Sequence, residues 1–472
     1  MTPDGRPHSL AADAVERAID RAAGGRPVPG NQVDLLFDGP PAFAAMLQVI
    51  AEAERWVHFD NYIFRSDVTG TRFAEALAER ARAGVAVRVS TDWLGSLGTK
   101  RTLWRTLRDA GVEVRHFHRP GPFDLPSYLS RNHRKLVVAD GKRAVLGGIC
   151  IGDEWAGDPV RGRLPWRDTA VMVAGPAAAV LDQAFARTWQ IGGTPLPPEE
   201  FASEVAPCGT ASVRVLAGEP ARERAYRVSE LLLAAASDRV WITDAYLVAP
   251  RRLYRYLVDA AQEGVDVRLL VPGTSDIPMV RNLTRFGYRD LIRAGVRIFE
   301  WTGPMLHAKS LVADGRWVRV GSSNLNHSSL VANYELDVLV EDPALAGAME
   351  AQYRRDLDQS AEVLTRPLRV PRRIGRALPP ALAIRRGEGT GPHRRGIREH
   401  RGRSILALRT LVAGARLALF GPLALVLGLV GLLFFLLPGL MAVAFGVLSV
   451  WLSLVSGAEA LRRRQDKVDH GV

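Results

Sequence analysis

His307, Lys309 and Asp314 stand in an HxKxxxxD pattern, followed by Gly321-Ser322-Ser323-Asn324 and then by Glu335. The same pattern occurs earlier as His133, Lys135 and Asp140, followed by Gly147-Gly148. One such triplet says little, because these residue types are common on protein surfaces. Two copies, each preceded by the same order of segments, are specific. Two histidines can divide the work of phosphodiester exchange, one attacking phosphorus and the other protonating the departing alkoxide. Lysines would hold the non-bridging oxygens as charge builds on them. No Cys/His ligand spacing appears, so neither a metal nor another cofactor is expected.

The elements that must position these residues also repeat. In the first part, 57–64 (VHFDNYIF) reads as a buried strand, and a helical stretch follows through Ala83 to Gly84 and a strand over 85–90. A second helix to Ala110, then Gly111 and a strand over 112–117, precede the motif. The second part has the same order: 240–248 (VWITDAYLV), a helix through Ala260, Gly264, a strand over 265–271, a helix to Ala294-Gly295, and a strand over 296–301. Glycine after each helix is a C-cap signal, and short apolar runs between helices suggest parallel strands with right-handed crossovers. The motifs fall on strand-like runs, where residues two apart share a face, so each His and Lys point the same way. Two such halves packed face to face would pool both pairs in one cleft.

On these residues the chain resembles the phospholipase D superfamily, and within it the bacterial cardiolipin synthases. The similarity runs over about 33–342 and is tightest at LHAKSLVADGRWVRVGSSNLN, NYELDV and NHRKLVVADGKRAVLGGICIGDEW, with PWRDT after it. The resemblance implies an α/β fold of two duplicated mixed-sheet halves packed face to face. It implies that His307, Lys309 and Asn324, with Ser322 beside them, and His133 and Lys135 line a phosphate pocket. It also implies an acidic residue further along that orients each histidine, which places Glu335 in the second half and Asp168 in the first. One departure stands out: the asparagine expected after Gly147-Gly148 is Cys150, so the first half lacks an amide that the second keeps.

At 472 residues the chain can hold two or three domains, with ample core for a duplicated catalytic body. Two cysteines, Cys150 and Cys208, give no disulfide framework and suit a reducing compartment. The first residues lack the apolar core of a signal peptide. Between Arg366 and Arg403 lie about a dozen arginines against Glu388 and Glu399, which accounts for most of the formal net charge of +12. The run 417–458 holds no charged residue, and Pro438-Gly439 divides it near its middle. About forty uncharged residues fit two membrane crossings of about twenty each. Basic residues flank both ends, at Arg409 and Arg416 and at Arg462 to Arg464, which predicts a hairpin with both flanks cytoplasmic. The expected organisation is a lead (1–32), a first half (33–206), a second half (207–365), a basic linker (366–403), and a hairpin with a basic tail (404–472). The linker would lie against an anionic membrane surface. The expected location is the cell membrane, multi-pass, with the catalytic body in the cytoplasm.

Each feature also has a plainer reading. Asp140 and Asp314 precede Gly141 and Gly315 at a turn, where aspartates are usually structural, so an indirect part in catalysis is the reading weighed for them. Trp155, Trp166 and Trp301 read as packing residues. His58, His116, His118 and His327 read as solvated, core or loop histidines. Three function classes follow. The expected one is a membrane-bound phosphatidyltransferase, a cardiolipin synthase that joins two phosphatidylglycerols with release of glycerol through a phosphohistidine. A phosphodiesterase or nuclease is the alternative, and a catalytically dead lipid-binding scaffold the third. Nucleic acid is not the expected partner, because the excess charge sits beside the apolar run and not over the catalytic halves. Both histidines and both lysines are present, which argues against a dead scaffold.

Overall fold

The computed structural model describes residues 10–117, 130–158, 160–220, 222–326, 329, 332–365 and 382–386. The basic linker, the apolar hairpin, His118 and His327 lie outside the described residues. No helix among the described residues is long and apolar enough to cross a membrane.

The fold is mixed α/β, and the repeated segments become repeated structure. The first half supplies β1 (Val28–Phe37), β2 (Trp56–Asn61), β3 (Ala86–Asp92), β4 (Glu113–Phe117), β5 (Lys135–Ala139), β6 (Arg143–Gly147) and β7 (Thr169–Ala174). The second supplies β8 (Ala211–Gly218), β9 (Arg239–Asp244), β10 (Asp266–Pro272), β11 (Arg297–Trp301), β12 (Lys309–Ala313), β13 (Trp317–Gly321), β14 (Glu335–Glu341) and β15 (Ser360–Thr365), with β16 (Leu382–Arg386) beyond it. Hydrogen bonding runs β16-β15-β11-β10-β9-β12-β13-β14-β8-β1-β7-β6-β5-β2-β3-β4. In each half three strands are parallel, β2-β3-β4 and β9-β10-β11, as the intervening helices predict. The motif strands β5 and β12 lie antiparallel beside β2 and β9, pairing Lys135 with Asn61 and Lys309 with Asp244.

The strands that join the halves escaped the sequence reading. β1 pairs with β7 over residues 32–37 and shifts register near its start to pair with β8. Helix Leu10–Ala23 packs on the second half: Ile19 and Ala23 are buried in its apolar core, and Arg214 reaches both Glu16 and Asp20. A separate core joins residues of both halves, among them Val138, Leu146 and Val173 from one and Val312, Val320 and Val338 from the other. Strands buried on both faces are apolar nearly throughout, which is why they read as short continuous runs.

Candidate active site

Each motif histidine sits just before its strand, at the sheet edge where β2 or β9 ends. Tyr62 packs edge-on to His133 at 5.0 Å between ring centroids, and Tyr246 to His307 at 5.9 Å. Lys135 and Lys309 each turn back along the strand and donate to the carbonyl of their own motif histidine. All four side chains are nearly or fully buried.

The two edges meet, and the acids cross. His133 Nδ1 lies 3.0 Å from Glu335 of the second half, and His307 Nδ1 lies 2.7 Å from Asp168 of the first. Sequence order pairs each acid with the histidine before it; the fold pairs it with the other one. Backbone bonds explain the exchange. The His133 N–H donates to the Tyr334 carbonyl and the His307 N–H to the Arg167 carbonyl, at 2.9 and 2.7 Å. Each histidine is thereby laid beside the residue that immediately precedes the other half's acid.

The acids are themselves held differently. Glu335 accepts the Ser322 hydroxyl at 2.5 Å and the Asn333 amide at 3.3 Å. Asp168 accepts Trp155 Nε1 at 2.9 Å and the Thr169 N–H at 2.8 Å. Gly148 occupies the place of Ser322, and a Cβ there would meet the Asp168 carboxylate at 2.1 Å. The shorter acid therefore sits where the longer one needs a hydroxyl to reach. Trp155, read from the sequence as a packing residue, packs edge-on to His307 and also fixes its acid. Only the fold could reveal that second role.

Burial pushes both imidazoles down, and the lysines add to it. For His307 the value falls to about 4, because burial and Lys309 outweigh the raising effect of Asp168. Burial would raise Asp168, yet His307 and Lys309 hold it at about 2. Glu335 is likewise held low against its burial, by His133, Lys135 and Ser322. The resting pattern is a neutral ring facing an ionised carboxylate, twice. Lys309 is brought down to about 8 by burial, with Lys135 adding to the effect. Each histidine feels the lysine of the opposite half, so the charges form one site.

Asn324 and Cys150 occupy matching positions, and both are buried. The Asn324 amide nitrogen donates to Ser329 at 3.4 Å and its oxygen has no partner among the described residues. The Cys150 thiol is pushed up by burial, with Lys135 and Lys309 pulling the other way, so it lies within their field.

Asp140 and Asp314, the third members of the two motifs, stand apart from the histidines and lysines. Both adopt left-handed backbone, at φ 54° and 50°, at the far end of β5 and β12, roughly 17 Å along the strand from the lysines. Asp140 accepts the N–H groups of Glu54, Arg55 and Trp56, and Asp314 those of Ser237, Asp238 and Arg239. Their carboxylates pin the start of the neighbouring strand. Such a role fixes the strand that carries His and Lys without touching a reacting atom.

Comparison with known proteins places the chain in a family. The family described as cardiolipin synthase, PLD-like domain, matches residues 46–161 and 231–357. Cardiolipin synthase A of Pseudomonas syringae pv. syringae (strain B728a) is 33% identical over 367 residues, covering 77% of this chain and 76% of its own length. Cardiolipin synthase A of Pseudomonas aeruginosa (strain LESB58) is 35% identical over 353 residues, covering 73% and 70%. Among solved structures, phosphatidylserine synthase of Haemophilus influenzae Rd KW20 superposes with a TM-score of 0.58 at 15% identity, covering 74% of this chain and 92% of that one. That likeness concerns the fold.

Proposed function

Because the chain belongs to the PLD-like family of cardiolipin synthases and is a phosphatidyltransferase of that type, we propose that it joins two phosphatidylglycerols into cardiolipin and releases glycerol. The observation that supports this most is the crossed pair of histidine–carboxylate contacts, with two lysines between them. One neutral histidine attacks the phosphorus of the donor lipid while the other, protonated once the anionic phosphate is bound, gives its proton to the departing glycerol. A phosphohistidine remains. The second histidine, now neutral, takes the proton from the hydroxyl of the acceptor, whose oxygen displaces the enzyme. One phosphodiester is broken and one of similar energy is made, so no nucleotide is consumed. Lys135, Lys309 and Asn324 hold the non-bridging oxygens, where a charge that grows in a dry site is best stabilised. Asp168, Glu335 and, through Glu335, Ser322 orient the two rings.

The same reading places the protein in the cell membrane, through the hairpin at 404–472, with the arginine-rich linker against anionic head groups. Confinement to the bilayer raises the encounter rate of two lipid substrates. The test is the full chain in detergent with phosphatidylglycerol as sole lipid. Cardiolipin and free glycerol in equal amounts are expected, without nucleotide or divalent metal. Phosphatidic acid as the only product overturns the transfer reading, as does dependence on CDP-diacylglycerol. Cleavage of single-stranded DNA in its place would favour the nuclease.

A further inference from the structure

We infer that the catalytic body carries its own membrane-docking surface, a ring of apolar side chains and unpaired cations around the mouth of the active site that seats on an anionic lipid bilayer. This rests on the proposed lipid substrates but is separate from the C-terminal hairpin.

The sheet topology carries the inference. β2, β3 and β6 all end at the edge where His133 lies, and β9 and β10 end where His307 lies. The segments that follow those strand ends expose large apolar side chains. Val68 follows β2, Leu94 and Leu97 follow β3, Leu164 follows β6, and Ile277 and Phe286 follow β10. Leu97 is 68% exposed, Val68 79%, and Phe286 54%, far more than core-forming residues tolerate without a partner. Phe286 stays at this end because its neighbour Arg285 pairs with Glu300, next to the last residue of β11. Phe201 and Leu364 are exposed too, but at the opposite end. Phe201 adjoins Ala202, which lies against Gly141 at the Asp140 turn, and Leu364 lies near the far end of β15.

Charge selects the occupant. Lys100 and Arg101 stand just beyond Leu97, at the start of the helix Arg101–Asp109 that leaves this edge, and among the described residues their side chains make no ion pair. Arg72, one turn beyond Val68, is likewise unpaired. Two of the acids nearby are engaged: Asp67 caps its helix through the Gly70 N–H, and Asp153 accepts the N–H and hydroxyl of Thr69. Apolar tips beside unengaged cations match a leaflet whose phosphates are negative and whose acyl region takes up the tips. A cleft of about 1030 Å³ opens on this rim, where Val68, Leu164 and Trp166 stand among charged groups, Asp153 and Glu154 of one sign and Arg72 and Arg161 of the other. The Trp166 ring lies 5.8 Å from that of His307, so the cleft leads from the docking rim to the chemistry, and its charged lining suits a head group.

The test uses the full chain in nanodiscs of mixed phosphatidylglycerol and phosphatidylcholine, in a Cys208→Ser background. Spin labels at Leu97→Cys and Phe286→Cys should gain oxygen collisions and lose collisions with a water-soluble nickel complex, whereas labels at Phe201→Cys and Leu364→Cys should stay in water. Rim labels as water-accessible as the controls overturn the proposal. So does a loss of collisions with both oxygen and nickel, which marks a protein partner instead. As a second readout, Leu97→Asp with Phe286→Asp should lower the ratio of turnover on bilayer lipid to turnover on soluble short-chain phosphatidylglycerol at least about tenfold. An unchanged ratio overturns the proposal. If the wild type turns over neither lipid, the proposed activity fails while the labels still decide the docking.

Discussion

The two half-sites are built from one plan and finished differently. His307 faces a short acid, Asp168, tied by a tryptophan and seated on a glycine. His133 faces a long acid, Glu335, tied by a serine and an asparagine. Asn324 serves the second half, where the first has Cys150. What the halves share is a neutral ring, an ionised partner and a buried lysine; what differs is how the acid is braced and which half brings an amide. The shared features are what an exchange in two mirrored steps needs, since the attacking and protonating roles must alternate. On the proposed reaction, the differing features are where donor and acceptor lipid would be told apart.

Removing either ring tests the shared part and should cost most. His133→Ala and His307→Ala should each lower turnover by about 10⁴-fold or more, with membrane insertion and thermal unfolding preserved. Near-normal cardiolipin formation by either variant would end the single-site model.

Next comes the crossing. Asp168→Asn and Glu335→Gln should each lose about 10²- to 10³-fold in turnover, because the ring loses its fixed tautomer and orientation. The decisive readout is the ring nitrogen spectrum of labelled histidine. Asp168→Asn and Trp155→Phe should move His307, while Glu335→Gln and Ser322→Ala should move His133. Shifts in the opposite histidine would show the acids to be uncrossed.

The amide asymmetry is smaller. Asn324→Ala should cost about 10-fold to 100-fold in kcat, the loss of one donor to a developing charge. Cys150→Ala should stay within a few-fold, as a buried neutral thiol contributes packing more than charge. Equal, severe losses would give Cys150 a direct role.

The smallest effect separates a histidine in the site from one in the core. His58 is fully buried between Asp182 at 2.5 Å and Glu200 at 3.0 Å; burial alone would lower its pKa, but the two acids raise it. A raised folded value means its contribution is complete below about pH 6.5 and fades as pH rises through that value. His307 has the opposite sign. With a folded value near 4, it binds its proton more readily when unfolded, so stability falls as pH drops from about 6.5 to 4, by up to about 3 kcal/mol. In thermal melts, the deficit of His58→Gln should therefore shrink in alkali, and His307→Gln should blunt the acid loss. Parallel curves for both variants and the wild type would contradict the two assignments.

Much of the fold was legible because local and global signals agree. Glycines 84, 111, 264 and 295 end helices in positive φ where the sequence places helix stops, and the apolar runs become the parallel strands. The histidine and lysine of each motif were legible because a strand puts alternate residues on one face. The crossing was not, since nothing in chain order tells which edge meets which. β1 was missed because Gly30 and a register shift break its alternation. Asp140 and Asp314 belong to the motif yet precede glycine at a turn, and their left-handed backbone and three accepted N–H groups serve the strand ends.

The crossed acids also bear on biogenesis. A ribosome that has finished residues 1–206 has made His133, Lys135 and Asp168 but no carboxylate for His133, and no His307 for Asp168. On the proposed reaction, a half-made chain would therefore hold no complete site for a phospholipid. Chemistry switches on only when the last strands of the second half dock, so activity reports completed assembly. Two fragments cut between the halves should be inert apart and regain function when mixed.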